Sequence, residues 1–406
     1  MKNYIMRPLS DNVDEMFIGP FGSSLKNDCF VKKDSGYCMV YEQKHAIQKT
    51  MDVETRYVTE EKYNELKRFN ICGGDIIVSC RGTIGETFIV PDDAPLGIMH
   101  PSIMKIRLKK DVYDKSYFNL LLQKWLRKHE TDANGSGVKM AISAKKLGAE
   151  LFPVPPIEEQ LKISDIILKV HQIINERTQQ LQKLDELVKA RFVEMFGNPI
   201  SNPMKWDIYR LEECLVRIDN GKSFICSDKP RNGDYPAILK LSAATYGDYR
   251  PNENKALLDE SLFIESSEVH AGDLLFTRKN TPELVGMAAY VQNTPPKLMM
   301  PDLIFRLVPN EKVNAVFLWQ LINCKEFRPV IQAISGGSAK SMSNISKERL
   351  GKIKVICPPR ELQDSLIPFV EQIDKSKAAV QKALDEAQLL FDSLMQKYFG
   401  WGKENE

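Results

Sequence analysis

No apolar run in the 406 residues approaches the roughly 18 consecutive positions that a membrane-crossing helix requires. Met1 to Pro8 lacks the apolar centre of a secretory signal, so the expectation is a cytoplasmic protein with no membrane partner. The eight cysteines, Cys29, Cys38, Cys72, Cys80, Cys214, Cys226, Cys324 and Cys357, include no CxxC pair. A chain this long needs no covalent staples, so they are expected to be reduced. His45, His100, His129, His171 and His270 show neither HExxH spacing nor a repeated ligand pattern. His171 is expected on the surface or at the seam of a helix. There is no GxxxxGK[ST] loop and no GxGxxG fingerprint. Gly82-Thr83-Ile84-Gly85 and Gly135-Ser136-Gly137 are too short for either. The expectation is therefore no catalytic residue, no metal and no cofactor held by this chain.

Net charge is also lacking. Lys and Arg number 56 against 54 Asp and Glu, a formal +2. That excludes binding of a polyanion through bulk charge but leaves room for a local basic face. With 43% hydrophobic and 27% charged residues, the chain builds true cores, and its length suits about two to three domains.

What is present is repetition. Cys72-Gly73-Gly74-Asp75-Ile76-Ile77-Val78-Ser79 returns as His270-Ala271-Gly272-Asp273-Leu274-Leu275-Phe276-Thr277. Pro101-Ser102-Ile103 returns as Pro301-Asp302-Leu303, and Leu147-Gly148 as Leu350-Gly351. Pro155-Pro156-Ile157-Glu158-Glu159-Gln160 returns as Pro358-Pro359-Arg360-Glu361-Leu362-Gln363, and Met195-Phe196-Gly197 as Tyr398-Phe399-Gly400. Five matches in unbroken order exceed coincidence.

Each unit opens with a mixed segment. Short β-like runs, Asp75–Cys80, Thr87–Val90, Ile103–Leu108, Asp273–Thr277 and Leu303–Val308, are interrupted by helices such as Ser116–Glu130 and Ala315–Phe327. The fold class is α+β, without regular βαβ alternation. Asp75 and Asp273 follow glycines and precede apolar strands, which suits turn capping better than metal binding. Each unit closes with a long helix begun after a Pro-Pro pair. Ile157 to Phe196 contains no Pro or Gly, and Glu361 to Phe399 only Pro368, where a kink is expected. About 40 residues span roughly 60 Å. Gly197 and Gly400 are natural helix stops.

The second helix carries a heptad seam: Leu366, Val370, Ile373, Lys377, Val380, Leu384, Ala387, Phe391, Leu394 and Tyr398. The first gives Ile163, Ile166, Val170, Ile173, Arg177, Leu181, Leu184, Val188, Phe192 and Met195, with a slip at Arg177–Leu181. Such faces need a partner. An intramolecular antiparallel pair is favoured over an intermolecular coiled coil. The expected parsing is a recognition-type domain 1–152, a helix 153–197, a linker 198–203, a second domain 204–355, a helix 356–400 and a tail 401–406.

In this order and duplication the motifs resemble the DNA-specificity subunits of type I restriction–modification systems. The resemblance rests on Gly74-Asp75-Ile76-Ile77 and Gly272-Asp273-Leu274-Leu275, on the Gly/Ser loops at 134–140 and 336–342, and on Pro155–Gln160 and Pro358–Gln363. It covers essentially the whole chain. It implies two target-recognition domains, each reading half of a split target in double-stranded DNA, and two helices that set the half-site spacing. It implies docking of two methyltransferase subunits using S-adenosylmethionine and of motor–nuclease subunits using ATP and Mg. The chain itself would be non-catalytic. Accordingly, no Asp-Pro-Pro-Tyr or Asn-Pro-Pro-Tyr motif is present, Pro155-Pro156 being preceded by Val154. The two domains differ outside the repeated frame, so an asymmetric target is expected. Self-association of the isolated subunit through its apolar helix faces is a further expectation.

Candidate DNA contacts follow from residue type and position. Lys26, with Ser23 and Ser24, ends a Gly-Pro-Phe-Gly loop and suits phosphate, or is a plain solvated turn. Gln43 and Lys44, before His45, follow an apolar run; glutamine reads adenine and lysine reads guanine, the alternative being ordinary surface. Arg81 follows the Asp75–Cys80 strand, and Arg278-Lys279-Asn280 is its counterpart, the alternative being internal salt bridges. Lys139 and Lys340 lie in the Gly/Ser loops and suit phosphate. Lys222 follows Asn220-Gly221, and Lys240 ends an apolar run before Tyr246 and Tyr249. A different enzyme class and a purely structural scaffold remain the competing readings.

Overall fold

The apolar runs after Gly74-Asp75 and Gly272-Asp273 are strands buried on both faces, which is why they show no alternation. The computed structural model describes residues 4–81, 83–133, 143–336 and 342–400. In the first copy the strands are β1 (Ile5–Pro8), β2 (Val13–Ile18), β3 (Cys38–Tyr41), β4 (Tyr57–Val58), β5 (Asn70–Ile71), β6 (Ile76–Ser79), β7 (Thr87–Ile89), β8 (Gly97–Met99), β9 (Ile103–Leu108) and β10 (Leu151–Val154). The helices are α1 (Gln43–Gln48), α2 (Glu60–Glu65), α3 (Lys115–Ala133), α4 (Ala144–Ala149) and the long α5 (Ile157–Phe196). One antiparallel sheet has the order β2-β9-β6-β7. A second, β4-β3-β8-β5, is mixed, with β3 and β8 parallel. Ile76 and Val78 face a core with Phe118 and Leu121 of α3, whereas Ile77 faces one with Met39, Tyr41 and Met99 of the second sheet.

The second copy repeats this plan. Its strands are β11 (Asp207–Arg210), β12 (Leu215–Asn220), β13 (Ala237–Leu239), β14 (Asn254–Ala256), β15 (Leu274–Thr277), β16 (Lys279–Asn280), β17 (Ala288–Tyr290), β18 (Leu298–Met299), β19 (Ile304–Pro309), β20 (Ser343–Asn344) and β21 (Lys354–Cys357). Its helices are α6 (Ala315–Asn323), α7 (Arg328–Ala333), α8 (Lys347–Gly351), α9 (Arg360–Asp364) and α10 (Leu366–Phe399). The sheets are β12-β19-β15-β17 and β14-β13-β18. Leu274 and Phe276 pack toward Phe317 and Leu321, and Leu275 toward Leu239 and Leu298. The expected helix Ala315–Phe327 stops at Asn323, whose side chain bonds both the N–H and the carbonyl of Ala288 at 3.0 and 2.8 Å. Pro329 then enters the first turn of α7, where its missing N–H is tolerated.

The repeated motifs prove to be paired structural devices. Asp75 accepts the Cys72 N–H at 2.8 Å and takes the Arg107 guanidinium in two bonds of 2.7 Å. Asp273 accepts the His270 N–H at 2.9 Å and pairs with Arg306 at 3.0 Å. Each aspartate thus ties the turn before the central strand to the strand beside it. Gln160 is fully buried; it accepts the Asp114 N–H at 2.9 Å and donates to the Val112 and Pro155 carbonyls at 3.0 and 2.8 Å. Gln363 makes the same three bonds, from Asn314 N–H at 3.0 Å and to Lys312 and Pro358 carbonyls at 2.8 and 2.7 Å.

Pro368 breaks its helix rather than kinking it: α9 ends at Asp364, the residue whose carbonyl Pro368 cannot satisfy. Gly197 closes α5 at φ 75° with its N–H on the Val193 carbonyl, as a left-handed helix stop does. The chain divides into two compact units. One runs up to Glu176 and resumes at Leu384; the other is Arg177–Ala383. In the first, Ile163 and Ile167 of α5 share a core with Met395 and Phe399 of α10, and the His171 ring lies 5.8 Å from Phe391. In the second, Val188, Phe192 and Phe196 pack with Leu366, Val370 and Ile373. There Asp185 meets Lys377 at 2.5 Å, and Arg191 lies over the Phe369 ring at 5.8 Å, so α10 descends as α5 rises. The two helices form an antiparallel intramolecular pair. The expected α10 seam is buried or half-buried throughout. On α5 the expectation needs correction. Ile166 and Ile173 are 42% and 44% exposed, while Ile167 and Ile174 turn inward. The spacing is consequently regular through Arg177–Leu181, and the slip falls between Val188 and Phe192.

Candidate nucleic-acid interface

In the first copy, the ends of β2, β3, β6 and β8 converge. Parallel β3 and β8 finish at Tyr41 and Met99, and the His100 N–H bonds the Tyr41 carbonyl at 2.9 Å. Gly19, just past β2, donates to the Ile103 carbonyl at 2.9 Å and lies so close that a Cβ would overlap the His100 carbonyl oxygen. Cys80, just past β6, donates to the Ser102 carbonyl at 2.8 Å. One rim therefore carries the loops of Lys26, Gln43, Lys44 and Arg81.

The rim is organised around Glu42. Its carboxylate bonds Arg56, and Lys44 sits 3.0 Å from the other oxygen as an ion pair rather than an aligned hydrogen bond. Burial pushes this carboxyl up, Arg56 and Lys44 pull it down, and the balance lies below its ordinary value. Arg56 also stacks on Phe30 at 3.9 Å. His45 is fully buried; its Nδ1 lies 3.0 Å from the Glu42 nitrogen and 3.1 Å from the Glu42 carbonyl oxygen, its Nε2 meets no hydrogen-bond partner, and burial holds its pKa down. Burial also lowers His100, which feels Glu42, Arg56, Arg81 and Lys44 together; its Nδ1 is 2.8 Å from Ser102 Oγ. The Gln43 Oε1 is buried without a hydrogen-bond partner. Lys26 and Arg81 are exposed and pair with no described acid.

The second copy builds the matching rim. Lys222, past β12, donates its N–H to the Met300 carbonyl at 3.2 Å, and Gly221 is wedged against the Met300 and Pro301 carbonyls. The Arg278 N–H bonds the Leu303 carbonyl at 3.0 Å, as Cys80 does Ser102, so Arg81 corresponds to Lys279. Lys222 is exposed and Lys279 half-buried. Lys240 follows β13 and lies 3.7 Å from Glu253, which also accepts from Ser242 at 2.7 Å. Arg278 donates to Asn344 Oδ1 at 3.3 Å and stacks over Phe305 at 5.0 Å. Asn280 is buried, donating to Thr245 at 3.1 Å. Tyr249 is internal, bonded to Thr294 at 2.7 Å, whereas Tyr246 is exposed with Arg250 over its ring at 4.7 Å. Lys139 and Lys340 lie outside the described residues. Sequence reasoning missed Glu42, Arg56, His100 and Arg250. Their role depends on proximity between loops, and no spacing signals it.

Among the described residues no three His, Cys, Asp or Glu side chains gather as a metal site, and no helix is long and apolar enough to cross a membrane. Two copies of one sheet-and-helix module, each with a mixed basic and amide rim, held on a pair of antiparallel helices, define a duplicated recognition-module protein. The model of the family described as "Type I restriction modification DNA specificity domain" matches residues 13–185 and again 203–388, and the chain belongs to that family. The chain is 29% identical over 273 residues to the type I restriction enzyme EcoEI specificity subunit of Escherichia coli, covering 65% of this chain and 45% of that relative. It is 23% identical over 337 residues to the MjaVIII specificity subunit of Methanocaldococcus jannaschii, covering 76% of each. The fold is similar to the S subunit of a type I restriction–modification system from M. genitalium, with TM-score 0.58, 14% identity and coverage of 97% of this chain and 96% of that one. A further chain of a type I R-M system aligns with TM-score 0.54 and 16% identity over 98% of this chain and 97% of the other.

Proposed function

We propose that the chain is the specificity subunit of a type I restriction–modification complex and reads an asymmetric, two-part target in double-stranded DNA. The observation that carries this is the duplicated rim: each copy gathers its basic and amide side chains at one end of its sheets, as a groove-reading surface requires. Lys26, Arg81, Lys222 and Lys279 serve phosphate contacts, with Lys139 and Lys340 adding to them. Gln43, Lys44, Lys240 and Arg278 border the base edges, while Asn280, buried against Thr245, holds the segment that carries Arg278 and Lys279. The Gln43-Lys44-His45 turn of one rim faces no counterpart in Lys240-Leu241-Ser242 of the other, so the half-sites differ.

The domains are 1–152 and 204–355, the helices 153–197 and 356–400, with 198–203 as linker and 401–406 as tail. The helices fix the half-site spacing and dock two methyltransferase subunits, which supply S-adenosylmethionine chemistry. Motor–nuclease subunits bring ATP and Mg. The complex works in the cytoplasm, and the isolated chain self-associates through apolar helix residues such as Leu168, Leu187 and Leu389, which are 44%, 47% and 71% exposed. Single-molecule methylome sequencing of the host with and without the gene tests the reading. Loss of N6-methyladenine at one split, asymmetric motif is expected. An unchanged methylome together with no specific DNA binding by the purified chain would replace it with a scaffold role.

A further inference from the structure

Phe21 and Ile225 are 86% and 82% exposed, the two most exposed large hydrophobic side chains among the described residues. They sit in corresponding loops, Phe21 two residues past Gly19 and Ile225 four past Gly221. Each follows a glycine, Gly19 or Gly221, that is wedged under the carbonyls of the turn preceding the sheet's β9 or β19 strand. Neither exposure comes from a loose loop. Phe21 stands between buried Pro20 and Leu25, and its carbonyl accepts the Ser24 N–H at 2.8 Å. Ile225 lies between Phe224 and Cys226, both packed on the core of Ile238, Leu257 and Met299, and Cys226 bridges to Leu257. The backbone on both sides is pinned, so the apolar tip is held in water by construction. Lys26 and Lys222 flank the tips, and the loops of Arg81 and Lys279 share their rims.

We infer that Phe21 and Ile225 are apolar base-reading tips, each seated against the 5-methyl group of a thymine in one half-site. In the major groove that methyl is the feature an apolar side chain recognises, and it separates T·A from the other pairs. The flanking lysines would hold the backbone while the tip is pressed into the groove. The inference rests on the reading that the rims face duplex DNA.

The test uses the full chain with its methyltransferase subunits on a duplex carrying the target found by methylome sequencing. Each thymine is replaced in turn by deoxyuridine, which deletes only the methyl. One substitution per half-site is expected to weaken binding roughly fourfold, the worth of one buried methyl group. Phe21→Ala should weaken binding and abolish the deoxyuridine effect in one half-site alone. Ile225→Ala should do so in the other, and Phe21→Leu should restore part of it. Alanine variants that bind as the parent does, or that keep the full deoxyuridine effect, overturn the inference. So does loss of methyltransferase capture with DNA binding intact, which would make the tips a protein contact. A parent complex without sequence-specific binding overturns the underlying reading as well, and is told apart by needing no variant.

Discussion

Replacing Gln160 by leucine removes three bonds at once and changes volume little. The Asp114 N–H and the Val112 and Pro155 carbonyls are left without the partner that the amide supplied. The Gln160 side chain is fully buried, so water does not enter in its place. Each buried donor or acceptor left unpaired costs about 1–3 kcal/mol, or about 3–9 kcal/mol for three, and the half-burial of Val112 and Asp114 holds the sum to about 3–6 kcal/mol. The extra apolar burial of leucine offsets about 1–2 kcal/mol, leaving a net loss of about 3 kcal/mol. For a unit of this size that lowers the melting temperature by roughly 6–12 °C. Gln363→Leu removes the same set of bonds in the other unit, so the two losses should agree within about 1 kcal/mol. Calorimetry of the full chain measures them, with hydrogen exchange at the first turn of each long helix assigning the loss to its unit, since two units need not melt together. Gln160→Glu adds a sign test. A carboxylate facing two carbonyls is protonated more readily folded than unfolded, so this variant should be less destabilised at acidic pH than at neutral pH. Variants within about 0.5 kcal/mol of the parent, or a large loss in one copy only, would refute the reasoning.

Three further outcomes are expected. Burial lowers the folded-state pKa of both His45 and His100, so their contribution is present above the ordinary histidine pKa and is lost as pH falls through the folded value. The first copy should therefore lose stability between about pH 7 and 5 more steeply than the second, measured by urea midpoints or ring-proton NMR. Asp75→Ala strands the Cys72 N–H and removes two bonds from Arg107, which keeps Glu15 at 3.2 Å; with a quarter of Arg107 also in water, the cost should be about 2–3 kcal/mol, below that of a fully buried pair, and read by urea unfolding. Arg81→Ala and Lys279→Ala should each reduce the slope of log affinity against log salt by about 0.9 without changing the preferred sequence, as loss of one phosphate contact does.

Pattern carried far in this chain wherever the physics was local or periodic. The Gly-Asp turns, the Pro-Pro helix starts, the stop at Gly197 and the α10 seam follow from dihedral preference, missing N–H groups and heptad spacing. Their duplication gave the two-copy plan. Residues that meet only through the fold were not legible. Ile166 and Ile167, like Ile173 and Ile174, are equally apolar neighbours, and only packing against α10 decided which turned inward. The break at Ser365 rather than a bend at Pro368 depended on what else could hold the Asp364 turn. The buried bonds of Gln160 and Gln363 were invisible because two of the three partners of each lie about 50 residues away. At the rims the sequence by itself proposed single basic residues. The tertiary structure decided that Lys44 shares Glu42 with Arg56, that Arg278 is bonded to Asn344 and Asn280 to Thr245, and that Arg81, Lys26 and Lys222 stand open. Short-range preference fixes where elements begin and end. Which charges are spent inside the protein and which face outward is set by distances across loops, and those exist only once the sheets have closed.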